Sequence, residues 1–425
     1  MGQRIVKQEI NEAVKLYNAQ DHEEAVKKWN HVLRKTSNCQ LKFQTLGHLA
    51  NASSDLGKYR DMLVYAIQQI DIANERENTY MRAEAYLNLA RGNERIGEYH
   101  KAVSYARHSL QNQAKDPRTH GHVYLTMSNA YFGFSNFSKC LENLDNALRV
   151  ANEHGDIVLR IETYFSVARF FTTLKDYNKA VQFLDKCKEL SVSIEVPDLV
   201  QKYLRLTSVH LSIPYRELGH YNEAMEKCED ALKSAMEKND RPVQAKCLHS
   251  FAEIHKKLHD FEKAYPRYEA ALNIMVETGD RYGQMEVLIG RADAMMLGNN
   301  VKKSLELYGK ALEMAQALRC KYQVYHIHRV LEGIYEQQGD FDAAYQEKLC
   351  YTPMIDELEV RCEVCEKMMG IVPEPLDTLL CNHLFHAKCA NFLRKREELD
   401  PRRPSQILCP RCRINSCKTD QATPS

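Results

Sequence analysis

The stretch Leu218-Gly219-His220-Tyr221-Asn222-Glu223-Ala224 decides the fold of this 425-residue chain. In it a helical pattern ends at a glycine and restarts with an aromatic residue, followed three positions later by an alanine. Copies of this turn, several of them looser and without the glycine or the alanine, recur with the glycine position at residues 57, 97, 135, 175, 259, 299 and 339, a spacing of about forty residues. Internal repetition with a period of this length predicts an array of helical hairpins rather than one globular core.

The repeat over residues 248–271 shows how each hairpin is built. Apolar residues follow helical spacing up to the turn at Asp260, and Tyr268 and Ala271 continue that spacing after it. Ala252 and Ala264 are small where two antiparallel helices cross, and aromatic side chains fill the groove beside them. The pattern resembles the tetratricopeptide repeat, which has small residues at the crossing and aromatic residues around it. We interpret the aromatic stripe as the core of the repeats rather than as a ligand site.

The repeats predict an all-α fold, a superhelical solenoid of seven or eight tetratricopeptide-like units over residues 6–320. A single hairpin cannot bury its apolar face, so neighbouring units stack and leave a concave face that accepts helices or extended peptides. Residues 321–355 keep an apolar stripe, but Glu332 replaces the small crossing residue. This segment is either a degenerate final repeat or a helix that binds a partner.

Charge and composition exclude several classes of protein. The net charge of +1 gives no strong basic field, so we expect no nucleic-acid partner. No stretch approaches the ~20 apolar residues of a membrane span, and charged residues interrupt the N-terminus where a signal peptide would be apolar. We therefore expect a cytosolic protein whose fourteen cysteines are reduced. No phosphate-binding loop or hydrolase nucleophile motif is present, so no catalytic site of the chain's own is predicted.

The N-terminus predicts a lipidation segment over residues 1–5. Removal of Met1 would expose Gly2, which is the acceptor for myristoylation and would bring the chain to a membrane surface. The usual pattern has Ser or Thr at the sixth residue, where this chain has Val6. The alternative is an ordinary Met-Gly start without a lipid.

Cysteine and histidine residues cluster near the C-terminus, over residues 360–415, and a tail of residues 416–425 follows. Close pairs are spaced as zinc ligands are, and the eight candidates are Cys362, Cys365, Cys381, His383, His386, Cys389, Cys409 and Cys412. Zinc takes four thiolate or imidazole ligands, so eight ligands predict two Zn²⁺ ions in closed, structural sites. Each site would supply ~10 kcal/mol, which folds a segment too short to fold alone.

The order of these ligands resembles the RING-H2 finger, in which alternate ligand pairs share a metal. That resemblance implies one site with Cys362, Cys365, His386 and Cys389, and a second with Cys381, His383, Cys409 and Cys412. It also implies contacts with a ubiquitin-conjugating enzyme, for which the matching positions are Val364, Phe392, Pro410 and Arg413. Whether the chain is a RING-type ubiquitin or ubiquitin-like ligase, with repeats that select the substrate, stays open because apolar residues pack any small zinc core.

The Met-Gly start, the forty-residue repeats and the C-terminal finger together resemble the rapsyn family. Local strings carry the likeness, among them Gln68-Gln69-Ile70-Asp71 and Cys381-Asn382-His383-Leu384-Phe385-His386. The segment between Cys389 and Cys409 is longer than in that family. The resemblance implies a peripheral scaffold on the cytoplasmic face of the postsynaptic membrane that clusters nicotinic acetylcholine receptors. The implied partners are the receptors' intracellular loops, further copies of the chain and cytoskeletal linkers.

Overall fold

Helices account for most of the described chain. A computed structural model describes residues 2–112, 114–379, 381–398 and 409–412. The helices are α1 (Gly2–Asn18), α2 (His22–Lys35), α3 (Cys39–Asp55), α4 (Tyr59–Glu75), α5 (Thr79–Arg95), α6 (Tyr99–Gln111), α7 (Arg118–Gly133), α8 (Phe137–Glu153), α9 (Ile157–Thr173), α10 (Tyr177–Ser191), α11 (Pro197–Glu217), α12 (Tyr221–Glu237), α13 (Arg241–Lys257), α14 (Phe261–Thr278), α15 (Arg281–Leu297), α16 (Val301–Leu318), α17 (Lys321–Gln338), α18 (Phe341–Tyr351), α19 (Met354–Leu358) and α20 (Ala387–Glu398). Strands β1 (Leu376–Thr378) and β2 (Leu384–His386) form the two-stranded antiparallel sheet of the finger. The all-α prediction is confirmed.

The first eighteen helices form nine antiparallel hairpins, counted within the described residues. Eight of them lie within residues 2–318, where seven or eight units were expected, and α17 and α18 form the ninth. In the last unit Glu332 accepts a hydrogen bond from Tyr351 Oη at 2.7 Å, so a polar contact replaces the small-residue crossing. In an inner unit the predicted crossing residues Ala252 and Ala264 are fully buried.

The turn inside each hairpin uses one residue in the left-handed conformation. This residue has a positive φ at the predicted glycine register, which comprises Gly57, Gly97, Ser135, Lys175, Gly219, His259, Asn299 and Gly339, and also at Gln20. In most hairpins an Asn or Asp then caps the next helix; Asp260, for example, accepts a hydrogen bond from the backbone N–H of Lys263. Lys58, Glu98 and His220 stand at this position in the other three and make no side-chain cap. These two local devices end one helix and start the next, which sets the forty-residue period.

The solenoid winds so that its successive superhelical turns touch. Residues about 185 positions apart meet along this seam: Arg205 donates to Gln20 at 3.0 Å, Arg281 lies 3.4 Å from Glu98, and the Tyr322 N–H donates to Ser135 Oγ at 2.9 Å. Gly57 also packs against Pro242 and Thr278, where no space remains for a Cβ atom. The stack is therefore a closed coil with a hollow interior. No helix in the described part of the chain combines the length and apolarity needed to cross a bilayer.

Candidate metal centre

Two clusters of cysteine and histidine lie in the finger that follows α19. One contains Cys362, Cys365, His386 and Cys389, and the other contains Cys381, His383, Cys409 and Cys412. In each cluster the four donor atoms all lie within 4.8 Å of one another. The clusters alternate along the chain, so each would tie together segments that are distant in sequence. Both groups could hold a metal ion.

The short elements of the finger aim the first cluster. A tight turn joins Cys362 to Cys365, because the Glu366 N–H donates to the Cys362 carbonyl at 2.7 Å. Strand β2 ends at His386, and α20 begins next to it and carries Cys389. The Sγ atom of Cys365 lies 3.2 Å from His386 Nδ1. Glu374 Oε1 lies 2.8 Å from the other ring nitrogen of His386, a placement that orients histidine ligands in metal sites.

The second cluster is built around His383. Its Nδ1 atom lies 3.3 Å from Cys381 Sγ and 3.6 Å from Cys409 Sγ. The bond lengths of ~2.3 Å for zinc–sulfur and ~2.0 Å for zinc–nitrogen place tetrahedral ligands roughly 3.5 Å apart. The measured separations and the thiolate–imidazole donor set therefore suit zinc. Four protein ligands would fill each site, so a bound ion would crosslink the finger and leave no position for a catalytic water.

The finger is docked on the repeats rather than tethered beside them. Asp176, which caps α10, accepts a hydrogen bond from the Leu376 N–H at 2.9 Å, and Lys179 donates to the Leu376 carbonyl at 2.8 Å. Lys175 donates to the Ile371 carbonyl at 2.6 Å. These backbone contacts hold strand β1 against the start of α10. The sequence gives no sign of these contacts, because Asp176 and Lys179 look like ordinary residues of a repeat turn.

An ion-pair network strengthens this docking surface. Asp377 accepts from Arg394 at 2.6 Å and lies 3.4 Å from Lys179 Nζ, so one carboxylate joins the sheet of the finger, α20 and the repeats. Burial acts to raise the pKa of Asp377, but the hydrogen bond from Arg394 and the charge of Lys179 outweigh it and lower the pKa. The ion pairs of Asp377 with Arg394 and Lys179 therefore stabilise docking at neutral pH.

Three of the four predicted conjugating-enzyme contacts lie among the described residues. Phe392 is exposed, Pro410 is exposed and Val364 is half-buried. Arg413 lies outside the described residues. The predicted lipid acceptor Gly2 is the first residue of α1, so the predicted segment over residues 1–5 leads directly into a helix.

A second candidate surface lies on α18, the last helix of the array. Phe341, Tyr345 and Leu349 are four residues apart and are 70%, 59% and 49% exposed. In several inner units the aromatic at the start of the second helix is buried; Tyr99, for example, is 5% exposed and packs against Gly133 of the next unit. The α18 face is therefore the stacking surface of a repeat that has no following repeat. The apolar stripe of this segment can be seen in the sequence, but the sequence does not show which of its faces is left exposed.

These features define a class: a tetratricopeptide-type superhelix with a cross-braced cysteine–histidine finger docked at its C-terminal end. Comparison with known proteins places the chain within that class. It is 36% identical over 420 residues to the 43 kDa receptor-associated protein of the synapse from Tetronarce californica, across 98% of this chain and 99% of the relative. The Gallus gallus protein of the same name matches with the same identity and coverage. The chain belongs to the rapsyn family.

Regional family matches and solved structures add to this comparison. Residues 1–79 match the rapsyn N-terminal myristoylation and linker region, and residues 107–165 and 166–258 match anaphase-promoting complex subunit 5. A Rap protein complexed with competence and sporulation factor is 14% identical, with a TM-score of 0.57 over 84% of this chain and 98% of that one. NprR in complex with its cognate peptide NprX is 12% identical, with a TM-score of 0.56 over 82% and 99%. At these identities the two structures show the fold alone.

Proposed function

We propose that this chain is a receptor-associated scaffold of the synapse that clusters nicotinic acetylcholine receptors beneath the postsynaptic membrane. The observation that carries the proposal is the 36% identity, over 98% of the chain, to the 43 kDa receptor-associated protein of the synapse. Identity over this length includes both the repeats and the finger. The architecture suits the role, because a closed coil offers several separate surfaces on one rigid body.

A myristoyl group on Gly2 would hold the scaffold at the cytoplasmic face of the membrane. One acyl chain binds a bilayer only weakly and reversibly. Attachment therefore depends on a second contact, which the receptor supplies. The match of residues 1–79 to a myristoylation and linker region supports this part of the proposal.

The exposed face of α18 is the proposed contact for an intracellular loop of the receptor. Phe341 and Tyr345 occupy positions that a helix of the following unit covers elsewhere in the array. A short amphipathic helix from a partner would cover them in the same way, by laying its apolar face into the groove. Elsewhere in the array, the copies contact one another and raise the local concentration of bound receptors through multivalency.

The finger is the proposed contact for cytoskeletal linkers. Two zinc ions would hold it in one conformation through the eight cysteine and histidine ligands. The docking contacts of Asp176 and Lys179 would fix its position relative to α18. The cytoskeletal contact on the finger and the receptor contact on α18 would then be held at a fixed distance from each other.

Co-expression with the muscle receptor, in cells that lack both proteins, tests the proposal. Receptors should gather into clusters that contain the scaffold, as seen by surface labelling. The variant Phe341→Ser/Tyr345→Ser should leave receptors diffuse while the scaffold still reaches the membrane. Its control is Met236→Ser/Val276→Ser, which changes residues of similar exposure, 66% and 60%, on α12 and α14. Diffuse receptors with the unaltered chain would refute the clustering role, and equal clustering by both variants would refute the α18 contact.

A further inference from the structure

The hollow interior of the coil contains two adjoining chambers of about 410 and 220 Å³. Both are lined by Arg95 from α5, Arg169 from α9 and Lys246 from α13, so helices from both superhelical turns meet there. Lys246 is exposed to solvent although it faces this interior, which means that the chambers are open to water. The volumes are comparable with ligand sites, which are typically ~300–1,000 Å³.

Arg169 and Lys246 lack an ion-pair partner among the described residues, whereas Arg95 has one. Arg169 Nε is buried and has no hydrogen-bond partner within the described residues; the guanidinium lies 4.1 Å from the centre of the Phe132 ring. Lys246 makes no ion pair with any described residue. The guanidinium of Arg95 lies 3.6 Å from Glu94, its neighbour in sequence.

Lys256 and Lys202, which also lie at the chamber walls, are paired with carboxylates, as Arg95 is, and this sets Arg169 and Lys246 apart. Lys256 lies 2.9 Å from Glu253 and 3.0 Å from Asp293, and Lys202 lies 2.9 Å from Asp55. Unmatched charge inside a folded protein costs free energy, and a bound anion would relieve that cost.

Carboxylates also line the chambers beside these cations, among them Glu94, Glu162, Asp240, Asp280 and Glu286, and the last of these carries only part of its charge. Burial raises the pKa of Glu286 to about 7, against the opposing effect of Arg169, so a share of the molecules carry it uncharged at neutral pH. The enclosing chamber walls and the charge of Arg95 lower the pKa of Lys246. A bound anion would raise the pKa of Lys246 toward its ordinary value and would raise that of Glu286 further.

The walls between the charges are suited to a peptide. Amide and hydroxyl groups of Thr126, Asn129 and Ser166 line the smaller chamber, and Gln323 lines the larger one. Such groups can donate to and accept from a peptide backbone. The two adjoining chambers suit an extended chain better than a compact ion.

We propose that the interior of the coil binds an extended acidic peptide, with one of its carboxylates held between Arg95, Arg169 and Lys246. The site is separate from the receptor contact proposed on the outer face of α18. An acidic side chain entering here would gain charge-assisted hydrogen bonds in a partly desolvated space.

Selection from a phage-displayed library of random twelve-residue peptides, against the purified full-length chain, tests this inference. Recovered peptides should contain Asp or Glu, and replacing that residue by its amide should weaken binding ~10- to 100-fold in fluorescence anisotropy. Lys246→Gln alone, and together with Arg169→Gln, should weaken binding to a similar extent. Lys246 is the safer change because it makes no ion pair, and circular dichroism would check the fold of the double variant. The control Lys233→Gln/Lys310→Gln alters exposed lysines of α12 and α16 and should bind as the unaltered chain does.

Several results would overturn the inference. These are no enriched peptide, equal binding of the amide forms, or no effect of Lys246→Gln. Loss of binding in Phe341→Ser/Tyr345→Ser would place the peptide on α18 instead. Displacement by inorganic phosphate, without recovery of any peptide, would show a site for small anions only.

Discussion

The contact between superhelical turns at Gly57 gives a prediction that can be worked out in detail. Gly57 has φ +73°, and an added Cβ would lie 2.7 Å from Thr278 Cγ2 and 3.1 Å from Pro242 Cγ. Both neighbours are short or cyclic, so neither can swing away. Gly57→Ala should therefore combine the cost of a left-handed alanine, ~1–2 kcal/mol, with overpacking of ~1–3 kcal/mol.

Gly219 provides a matched control at the same position of another hairpin. It has φ +88° and nothing within 4 Å of its added Cβ, so Gly219→Ala should cost only the ~1–2 kcal/mol of the backbone conformation. The difference between the two variants isolates the contact between turns. Denaturant titrations followed by circular dichroism would measure both free energies of unfolding, and zinc must be kept constant because ligand loss shifts stability.

Thr278→Ser supplies the decisive check. It removes the methyl group that an alanine at residue 57 would strike, so the double variant should recover part of the overpacking cost. If Gly57→Ala cost no more than Gly219→Ala, or if Thr278→Ser gave no recovery, the turns of the coil would not touch at this seam and the closed interior would lose its support.

Three further predictions concern the finger and the N-terminus. Chelation of zinc, or Cys362→Ser, should remove hydrogen-exchange protection from residues 362–394 and leave the repeats helical; unchanged protection would mean that no metal holds the finger. The lowered pKa of Asp377 means that its ion pairs stabilise docking above the ordinary aspartate pKa of ~3.9 and lose this effect as the pH falls through the lower folded-state value. Loss of docking at low pH should make the finger easier for a protease to cleave. Asp377→Asn should flatten this dependence of the cleavage rate on pH and should lower the stability of docking by less than ~1 kcal/mol. An unchanged pH profile would contradict this prediction. Intact mass of the chain from eukaryotic cells should show loss of Met1 and gain of a myristoyl group, and Gly2→Ala should abolish the gain; a plain Met-Gly mass would reject lipidation.

Local structure followed closely from the sequence. The left-handed residue at Gly219 and its equivalents, and the capping Asp260, act through neighbours a few positions away, and residue pattern reports such contacts well. The small crossing residues Ala252 and Ala264 likewise fill the space that their size predicts. Each of these features depends on one hairpin and its own chemistry.

Contacts between residues far apart in the chain could not be predicted from the sequence, because they depend on the accumulated twist of many units. A change of a few degrees per repeat decides whether Gly57 meets Thr278 or meets nothing, and no single residue encodes that angle. The docking of Leu376 on Asp176 and the chamber around Arg169 arise from the same twist. The membership of the two candidate metal clusters was expected only through a resemblance to the RING-H2 finger, since spacing alone allows other pairings.

The seam between superhelical turns has a mechanical consequence. An open spring stretches gradually under load, because each unit bends a little with respect to the next. Here the Gln20–Arg205 and Ser135–Tyr322 bonds bridge whole windings, so the coil resists pulling until those bridges rupture together. A body anchored at both ends would transmit small forces unchanged and yield only above a threshold.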